Sequence, residues 1–284
     1  MTTPATRLTL AVLRRCPLPD PSDGESKEDR GRVLVVGGSR QTPGAIRLAG
    51  VAALRAGAGK LQVACGADVA VALAIALPEA KVVGLAVDQR GQIESCNGQV
   101  LKAAQQTDSL LIGPGMDDCS VTGRVAARLL RATGATTILD AGALRAYRRR
   151  RSAPVILTPH LGEMASITGM SSSQLSRRTA DVAREFAREH KVTLVLKGSC
   201  TYVASADGRL WIHDGGSVGL GTSGSGDVLA GVIAGLVARG ARPEQAAIWG
   251  VWLHGKAGTA LSKRQGLIGF LASEIPAEIP ALLR

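Results

Sequence analysis

The residues best suited to chemistry in this chain lie in a glycine-rich stretch that runs directly into an apolar segment. Residues 219–227 read GLGTSGSGD, and the apolar residues that follow recur with the spacing of one buried helical face. A loop of this kind offers unpaired N–H groups and the positive end of a helix dipole to an anion. Asp227 would be a carboxylate whose charged form the helix terminus favours. The stretch therefore predicts phosphoryl transfer to a hydroxyl group.

Other polar residues with chemical potential follow predicted strands. Lys197 is a point charge suited to phosphate, and the glycine after it lets a ligand approach the backbone. His160 follows a strand end held by Pro159, and Glu163 faces the same pocket from the first helical turn. Glu163 is a candidate ligand of Mg²⁺ through water, whereas no second histidine stands at the spacing of a zinc site. The remaining histidines are interpreted as structural: His190, His213 and His254.

Five loops at predicted strand ends bring these residues to one rim. They comprise residues 37–39, 113–115, 140–142, 158–160 and 197–199. Ligands of open parallel sheets bind beyond the carboxyl ends of the strands, so the loops predict a single active site. The chain has neither a G-x-G-x-x-G fingerprint after the first strand nor a G-x-x-x-x-G-K-[ST] loop, which excludes a Rossmann dinucleotide site and a Walker-type kinase.

Short β-rich runs alternate with helical patterns after residue 31, which predicts a mostly parallel sheet covered on both faces. The predicted strands are residues 32–37, 61–64, 82–85, 109–113, 136–140, 155–158, 193–197, 202–204 and 210–213, with a hairpin turn at 206–208. The predicted helices are residues 44–57, 68–76, 98–106, 120–133, 173–190, 227–239 and 244–262. We expect one α/β domain over residues 31–284, preceded by a loosely held arm or lid over residues 1–30.

Composition narrows the class of protein. Of 284 residues, 45% are hydrophobic but only 2% are aromatic, so Val, Leu, Ile and Ala must build the core. The net charge of +11 permits anionic partners, yet without aromatic stacking platforms we expect no nucleic acid. Four arginines at 148–151 are interpreted as a solvated loop, or alternatively as an attractor of anionic substrate. The five dispersed cysteines and the lack of a leader or apolar span predict a cytoplasmic protein that does not bind membranes.

Seven motifs extend from about Lys27 to the last helix. They are G-G-S at 37–39 with P-G-A at 43–45, G-P-G at 113–115, L-D-A-G-A-L at 139–144, L-T-P-H-L-G-E at 157–163, K-G-S-C-T at 197–201, G-S-G-D-V-L-A-G at 224–231 and L-H-G-K-A-G at 253–258. In this order they resemble the ADP/ATP-dependent NAD(P)H-hydrate dehydratases, a branch of the ribokinase-like superfamily. The resemblance implies a ribokinase-like α/β fold with a mostly parallel central sheet and helices on both faces.

The resemblance also implies a reaction and the residues that perform it. ADP or ATP phosphorylates the ring hydroxyl of the S epimer of NAD(P)H hydrate, and loss of phosphate restores NAD(P)H. Asp227 takes the hydroxyl proton, while the N–H groups of Ser223 through Asp227, including those of Gly224 and Gly226, stabilise the transferring phosphoryl group. The implied nucleotide positions are Lys197, Gly198, Ser199, Cys200, Thr201 and Gly226. The implied substrate positions are Ala45, Gly115, His160 and Asp227.

Further expectations concern cofactors and partners. The resemblance implies Mg²⁺ with the nucleotide, NADH hydrate and NADPH hydrate as substrates, and functional partnership with a separate NAD(P)H-hydrate epimerase. It also implies a homotetramer, in which the Ala/Gly-rich helix at 44–59 could pack between subunits. One alternative is a ribokinase-like kinase of a vitamin precursor, which would release a stable phosphorylated product. The other alternative is a catalytically silent nucleotide-binding protein.

Overall fold

The computed structural model describes residues 4–20, 26–147 and 153–283, and a ten-stranded sheet forms its centre. The strands are β1 (Thr6–Arg7), β2 (Arg32–Val36), β3 (Lys60–Gly66), β4 (Ala80–Leu85), β5 (Ser109–Ile112), β6 (Thr136–Leu139), β7 (Val155–Leu157), β8 (Thr193–Leu196), β9 (Thr201–Ala204) and β10 (Leu210–His213). Their order across the sheet is β1-β10-β9-β8-β7-β6-β5-β2-β3-β4. Only β9 pairs antiparallel with its neighbours, so the prediction of a mostly parallel sheet is confirmed.

Helices cover both faces of this sheet. They are α1 (Leu10–Arg14), α2 (Pro43–Arg55), α3 (Ala70–Ala76), α4 (Gly98–Gln106), α5 (Ser120–Ala132), α6 (Leu161–Thr168), α7 (Ser172–Arg177), α8 (Thr179–His190), α9 (Ser225–Ala238), α10 (Pro243–Gln265) and α11 (Ile275–Leu282). Where one helix was predicted over 173–190, the structure has two, because the backbone leaves helical geometry at Arg178 (φ −130°). The short helices α1 and α11 were not predicted, and only the first turn of α6, at Glu163, was.

Alternation along β2 shows why the sheet is buried on both sides. Val33 and Val35 belong to one apolar cluster, which includes residues of α2, α9 and α10. Leu34 and Val36 belong to a second cluster on the opposite face, with residues of α4, α5 and α8. All four side chains are at most 1% exposed, as expected for an interior strand of a parallel sheet.

The reversal of strand order at β2 creates the crevice in which such sheets bind ligands. β2 pairs with both β3 and β5, so the connections on its two sides lead in opposite directions. At the carboxyl ends of β2 and β5 the glycine loops bond to one another. The amide of Gly38 donates to the Pro114 carbonyl (2.8 Å), and that of Ser39 donates to the Gly115 carbonyl (2.9 Å). These bonds hold two of the predicted rim loops together.

Helices α2 and α9 pack against each other through glycine. A Cβ at Gly231 would lie 2.2 Å from the Ala49 carbonyl oxygen, and one at Gly235 would lie 2.3 Å from that of Ala53. The contacts advance by four residues on both helices, so the helices run parallel and their N-terminal ends reach the same rim. This close approach determines where the glycine loop before α9 lies.

The described part of the N-terminal arm packs on the domain. β1 pairs in parallel with β10, and the side chains of Leu8 and Leu13 are buried. The indole Nε1 of Trp249 donates to the Cys16 carbonyl at 2.7 Å. Over residues 4–20 the arm is therefore bound rather than loosely held, whereas the division of the chain at residue 31 stays a prediction.

The last two predictions from the sequence concern the arginine run and the lack of a membrane-spanning segment. The arginine run at 148–151 lies outside them, so its interpretation stays a prediction. Within 4–20, 26–147 and 153–283, no helix combines the length and apolar character that a bilayer crossing needs.

Candidate active site

A cavity of about 700 Å³ opens at the carboxyl ends of β8 and β10, against the N-terminus of α9. Six of the residues predicted to bind nucleotide or substrate line it: His160, Lys197, Gly198, Ser199, Thr201 and Gly226. Cys200, predicted with the same group, lines an adjoining cavity of about 290 Å³ that shares residues 197–199. The larger cavity has the size typical of small-molecule and cofactor sites.

The ammonium group of Lys197 is held from beneath by a buried carboxylate. Oδ1 of Asp140 accepts from Lys197 Nζ at 2.9 Å and from the Thr158 hydroxyl at 2.7 Å. The Asp140 side chain is 3% exposed and that of Lys197 is 18% exposed. Burial opposes the charge of Lys197, but Asp140, with Glu163 and Asp227, outweighs burial and raises the pKa of the lysine. Lys197 is therefore a fixed cation at the edge of the cavity.

The glycine loop leaves room for this cation. Gly224 lies in the left-handed region (φ +88°), and a Cβ there would lie 2.4 Å from Cδ1 of Leu48 on α2. A Cβ at Gly226 would lie 3.3 Å from Nζ of Lys197. Both positions thus favour glycine, and the free N–H groups of the first turn of α9 lie beside the ammonium. Two sources of positive potential meet at one point, as binding of a phosphoryl group requires.

Asp227 lies in the first turn of α9 within this field. Burial raises its pKa to about 7, Asp140 and Glu163 add to the rise, and Lys197 opposes it. The effect expected from the helix terminus is therefore outweighed by burial. A carboxylate with this pKa accepts a proton near neutral pH far better than an ordinary aspartate does.

Ala45 and Gly115 lie on the neighbouring part of the rim and do not line the 700 Å³ cavity. Gly115 has a φ of +69°, and a Cβ there would lie 3.0 Å from Cβ of Ala45. Gly231 of α9 contacts Ala49 of α2, and the two helices run parallel. One helical turn earlier on each helix, Asp227 therefore lies beside Ala45. Asp227 thus stands between the cavity with Lys197 and the loops predicted to bind the hydrate.

His160 and Glu163 form a capping box at the start of α6. The His160 amide donates to Oε2 of Glu163 (2.7 Å), and the Glu163 amide donates to Nδ1 of His160 (3.2 Å). The His160 side chain is 59% exposed and lines the cavity. In the described chain, no group of three or more His, Cys, Asp or Glu residues could hold a metal ion. The predicted contact of Glu163 with Mg²⁺ through water does not require such a group and stays a prediction.

Sequence reasoning missed two parts of this site. The sequence predicts Asp140 on a rim loop but gives it no role. A carboxylate that is buried at a strand end needs a charged or hydrogen-bonding partner, and that requirement points to Lys197. His254, interpreted as structural, lines the cavity, and its Nε2 hydrogen-bonds to Ser225, 3.1 Å from the carbonyl oxygen and 3.0 Å from the hydroxyl. Burial lowers the pKa of His254 to about 4 against the effect of that bond, so the ring is neutral at pH 7. The signal available in the sequence was a histidine directly before Gly255 in the L-H-G-K-A-G motif.

Together, the parallel sheet and the glycine–Asp loop opening α9 define a ribokinase-like α/β protein. A solved ribokinase of Arabidopsis thaliana has this fold, with a TM-score of 0.58 and 14% identity over 89% of this chain and 99% of that one.

A more specific assignment comes from sequence families. The model of the NAD(P)H-hydrate dehydratase family matches residues 33–281, and this chain belongs to that family. An ADP-dependent (S)-NAD(P)H-hydrate dehydratase of Xanthomonas campestris is 48% identical, with 100% of this chain and 98% of the relative covered.

Two further relatives extend the comparison. A bifunctional NAD(P)H-hydrate repair enzyme of Moorella thermoacetica is 35% identical over 98% of this chain, which spans 54% of that protein. The Bacillus subtilis ADP/ATP-dependent NAD(P)H-hydrate dehydratase, co-crystallized with ATP/Mg²⁺, has a TM-score of 0.85 and 30% identity, with 98% of this chain and 97% of that one covered. The fold and family expected from the motifs are confirmed.

Proposed function

We propose that this protein restores NAD(P)H from the S epimer of its hydrate and consumes ADP or ATP in the process. The proposal rests on one observation above all, the position of Asp227 beside a fixed cation and a helix N-terminus. Family membership and the name of the 48% identical relative support the identity of the hydroxyl that Asp227 would activate.

In the proposed reaction, Asp227 accepts the proton of the ring hydroxyl as its oxygen forms a bond to the terminal phosphorus of the nucleotide. The bond between that phosphorus and the bridging oxygen breaks, and AMP leaves when the donor is ADP. The ring nitrogen then pushes phosphate off the carbon, and the neighbouring ring carbon loses a proton, which restores the dihydropyridine. Phosphate is a far better leaving group than hydroxide, and this difference explains the need for the nucleotide.

The other residues hold the reacting groups in this proposal. The amides of residues 223–227 and the Lys197 ammonium stabilise charge on the transferring phosphoryl group. Residues 197–201 hold the nucleotide, while Ala45, Gly115 and His160 hold the hydrate.

The proposed cofactor is Mg²⁺, and the proposed functional partner is an NAD(P)H-hydrate epimerase. Mg²⁺ bound by phosphate oxygens and water needs few protein ligands, so contact with Glu163 through water stays a prediction. The bifunctional name of the Moorella relative supports a second repair activity alongside this one, and the epimerase as functional partner stays a prediction. The homotetramer, with residues 44–59 between subunits, and the cytoplasmic location stay predictions.

The experiment is recovery of dihydronicotinamide absorbance from prepared hydrate, with ADP or ATP and Mg²⁺ present. We expect AMP and phosphate in equal amounts to NAD(P)H when ADP is the donor. Asp227→Asn should lower kcat by about 10²–10⁴-fold because the general base is lost. Asp181→Asn, in the first turn of α8, is the matched control and should keep the activity. A stable phosphorylated hydrate without NAD(P)H would instead favour the kinase alternative.

A further inference from the structure

Asp140 is the buried carboxylate of the site to which the proposed reaction gives no role. We propose that Asp140 is a positioning residue, which together with Thr158 holds the Lys197 ammonium at the N-terminus of α9 beside Asp227. This inference rests on the proposed function, since it concerns the same phosphoryl transfer. It adds a group that contacts neither nucleotide nor hydrate and acts through the lysine.

The geometry carries the inference. Asp140 follows β6, and its Oδ1 receives two donors, the hydroxyl of Thr158 and the ammonium of Lys197. The Thr158 hydroxyl also lies 3.2 Å from the Leu139 carbonyl oxygen, so its single hydrogen is shared between the backbone and Asp140. A lysine side chain has four flexible bonds, and only a buried acceptor confines its ammonium to one place. That place lies against Gly226, where a Cβ would be 3.3 Å from Nζ.

The titratable groups around the Lys197 ammonium come from five different elements. Asp140 follows β6, Lys197 follows β8, Glu163 lies on α6, Asp227 on α9 and the neutral His254 on α10. Asp140 and Glu163 raise the pKa of Asp227, while Lys197 lowers it. Loss of the Asp140 charge should therefore lower the pKa of Asp227. Release of the lysine toward Asp227 would act in the same direction.

Asp140→Asn tests the inference, because the amide keeps the size of the side chain and an acceptor for Thr158. We expect kcat to fall about tenfold at pH 8, since the ammonium is no longer confined. The acid limb of kcat/KM should move about one pH unit lower. A merely structural role predicts an unmoved acid limb, and that result would overturn the inference.

A double-mutant cycle separates action through Lys197 from a direct effect. In a Lys197→Met background, Asp140→Asn should lower kcat less than twofold further, whereas a full additional tenfold loss would refute positioning. Thr158→Val should change kcat and the pH profile in the same direction as Asp140→Asn, but less. Asp181→Asn again serves as the control.

One readout does not depend on turnover. The carboxyl ¹³C shift of Asp227, assigned by its loss in Asp227→Asn, can be titrated in the free protein. A lower titration midpoint in Asp140→Asn supports the inference even if the wild type fails to dehydrate the hydrate, a failure that would count against the proposed function alone. An unchanged midpoint would contradict the inference whatever the activity.

Discussion

The glycine contact between α2 and α9 makes a quantitative prediction about Gly231. A Cβ at this position would lie 2.2 Å from the Ala49 carbonyl oxygen and 2.8 Å from two further backbone atoms of Ala49. Backbone atoms cannot rotate away, so in Gly231→Ala the helices must part by about 1 Å to reach ordinary contact. Overpacking of this kind costs about 1–3 kcal/mol, and the clash with backbone puts Gly231→Ala at the upper end.

Helix propensity acts in the opposite direction and must be subtracted. Replacing a helical glycine by alanine gains about 1 kcal/mol, which leaves Gly231→Ala destabilised by about 2 kcal/mol. Gly123 in α5 is the matched control, since it is also helical but a Cβ there meets nothing within 4 Å. Gly123→Ala should therefore be stabilised by about 0.5–1 kcal/mol.

Urea denaturation of both variants measures the difference in the free energy of unfolding. We expect the two to differ by about 2.5–3 kcal/mol, the sum of the opposite changes. Gly231→Ala should also lose turnover, because parting of the helices moves Asp227 away from Ala45. Equal unfolding free energies of the two variants would refute the claim that this contact determines the position of α9.

Three further predictions concern the site. Between pH 6 and 8, kcat/KM should rise about tenfold, because Asp227 must be ionised to accept a proton and its pKa is about 7. The enzyme therefore loses activity as the pH falls through this value, and a flat pH–rate profile would contradict the prediction. Gly226→Ala should lower kcat about tenfold, because its Cβ would lie 3.3 Å from Nζ of Lys197 and displace the ammonium. Gly98→Ala, where a Cβ meets nothing within 4 Å, should leave kcat unchanged, and equal kcat values for the two variants would count against the displacement. His254→Leu should lower the free energy of unfolding by about 1–3 kcal/mol, because the buried Ser225 loses the imidazole partner of its hydroxyl and carbonyl groups. His254→Gln, whose amide reaches the position of Nε2, should restore most of it, and denaturation curves that do not separate the two variants would disprove the role of this bond.

Much of the fold could be predicted because its strands are buried on both faces. The continuous apolar runs at residues 33–36 and 110–112 have no helical periodicity, and every strand predicted after residue 31 has a counterpart. β1 could not be predicted, because two residues carry no periodic pattern and its pairing partner lies more than two hundred residues away. The break between α7 and α8 at Arg178 could not be predicted, because the helical pattern of the sequence continues across it.

In the site, too, residues that are adjacent in sequence could be predicted, whereas contacts between distant residues could not. Asp227, Gly224 and Gly226 could be found because loop, helix and carboxylate are adjacent in sequence. The pair of Lys197 and Asp140 joins positions 57 residues apart and depends on the order of strands in the sheet. No local pattern contains that order, and the pKa of Asp227 depends on it as well.

The short strand β1 has a consequence for the behaviour of the protein in solution. It lies along the outer side of β10, and beyond it the Leu8 amide donates to the Ile212 carbonyl at 2.8 Å. An uncovered β10 would present its peptide groups as a template for strands of other molecules. Removing residues 4–9 would thus leave the catalytic groups in place but open a sheet edge to aggregation. The arm is protective, and a tag fused at this end should be separated from it by a flexible spacer.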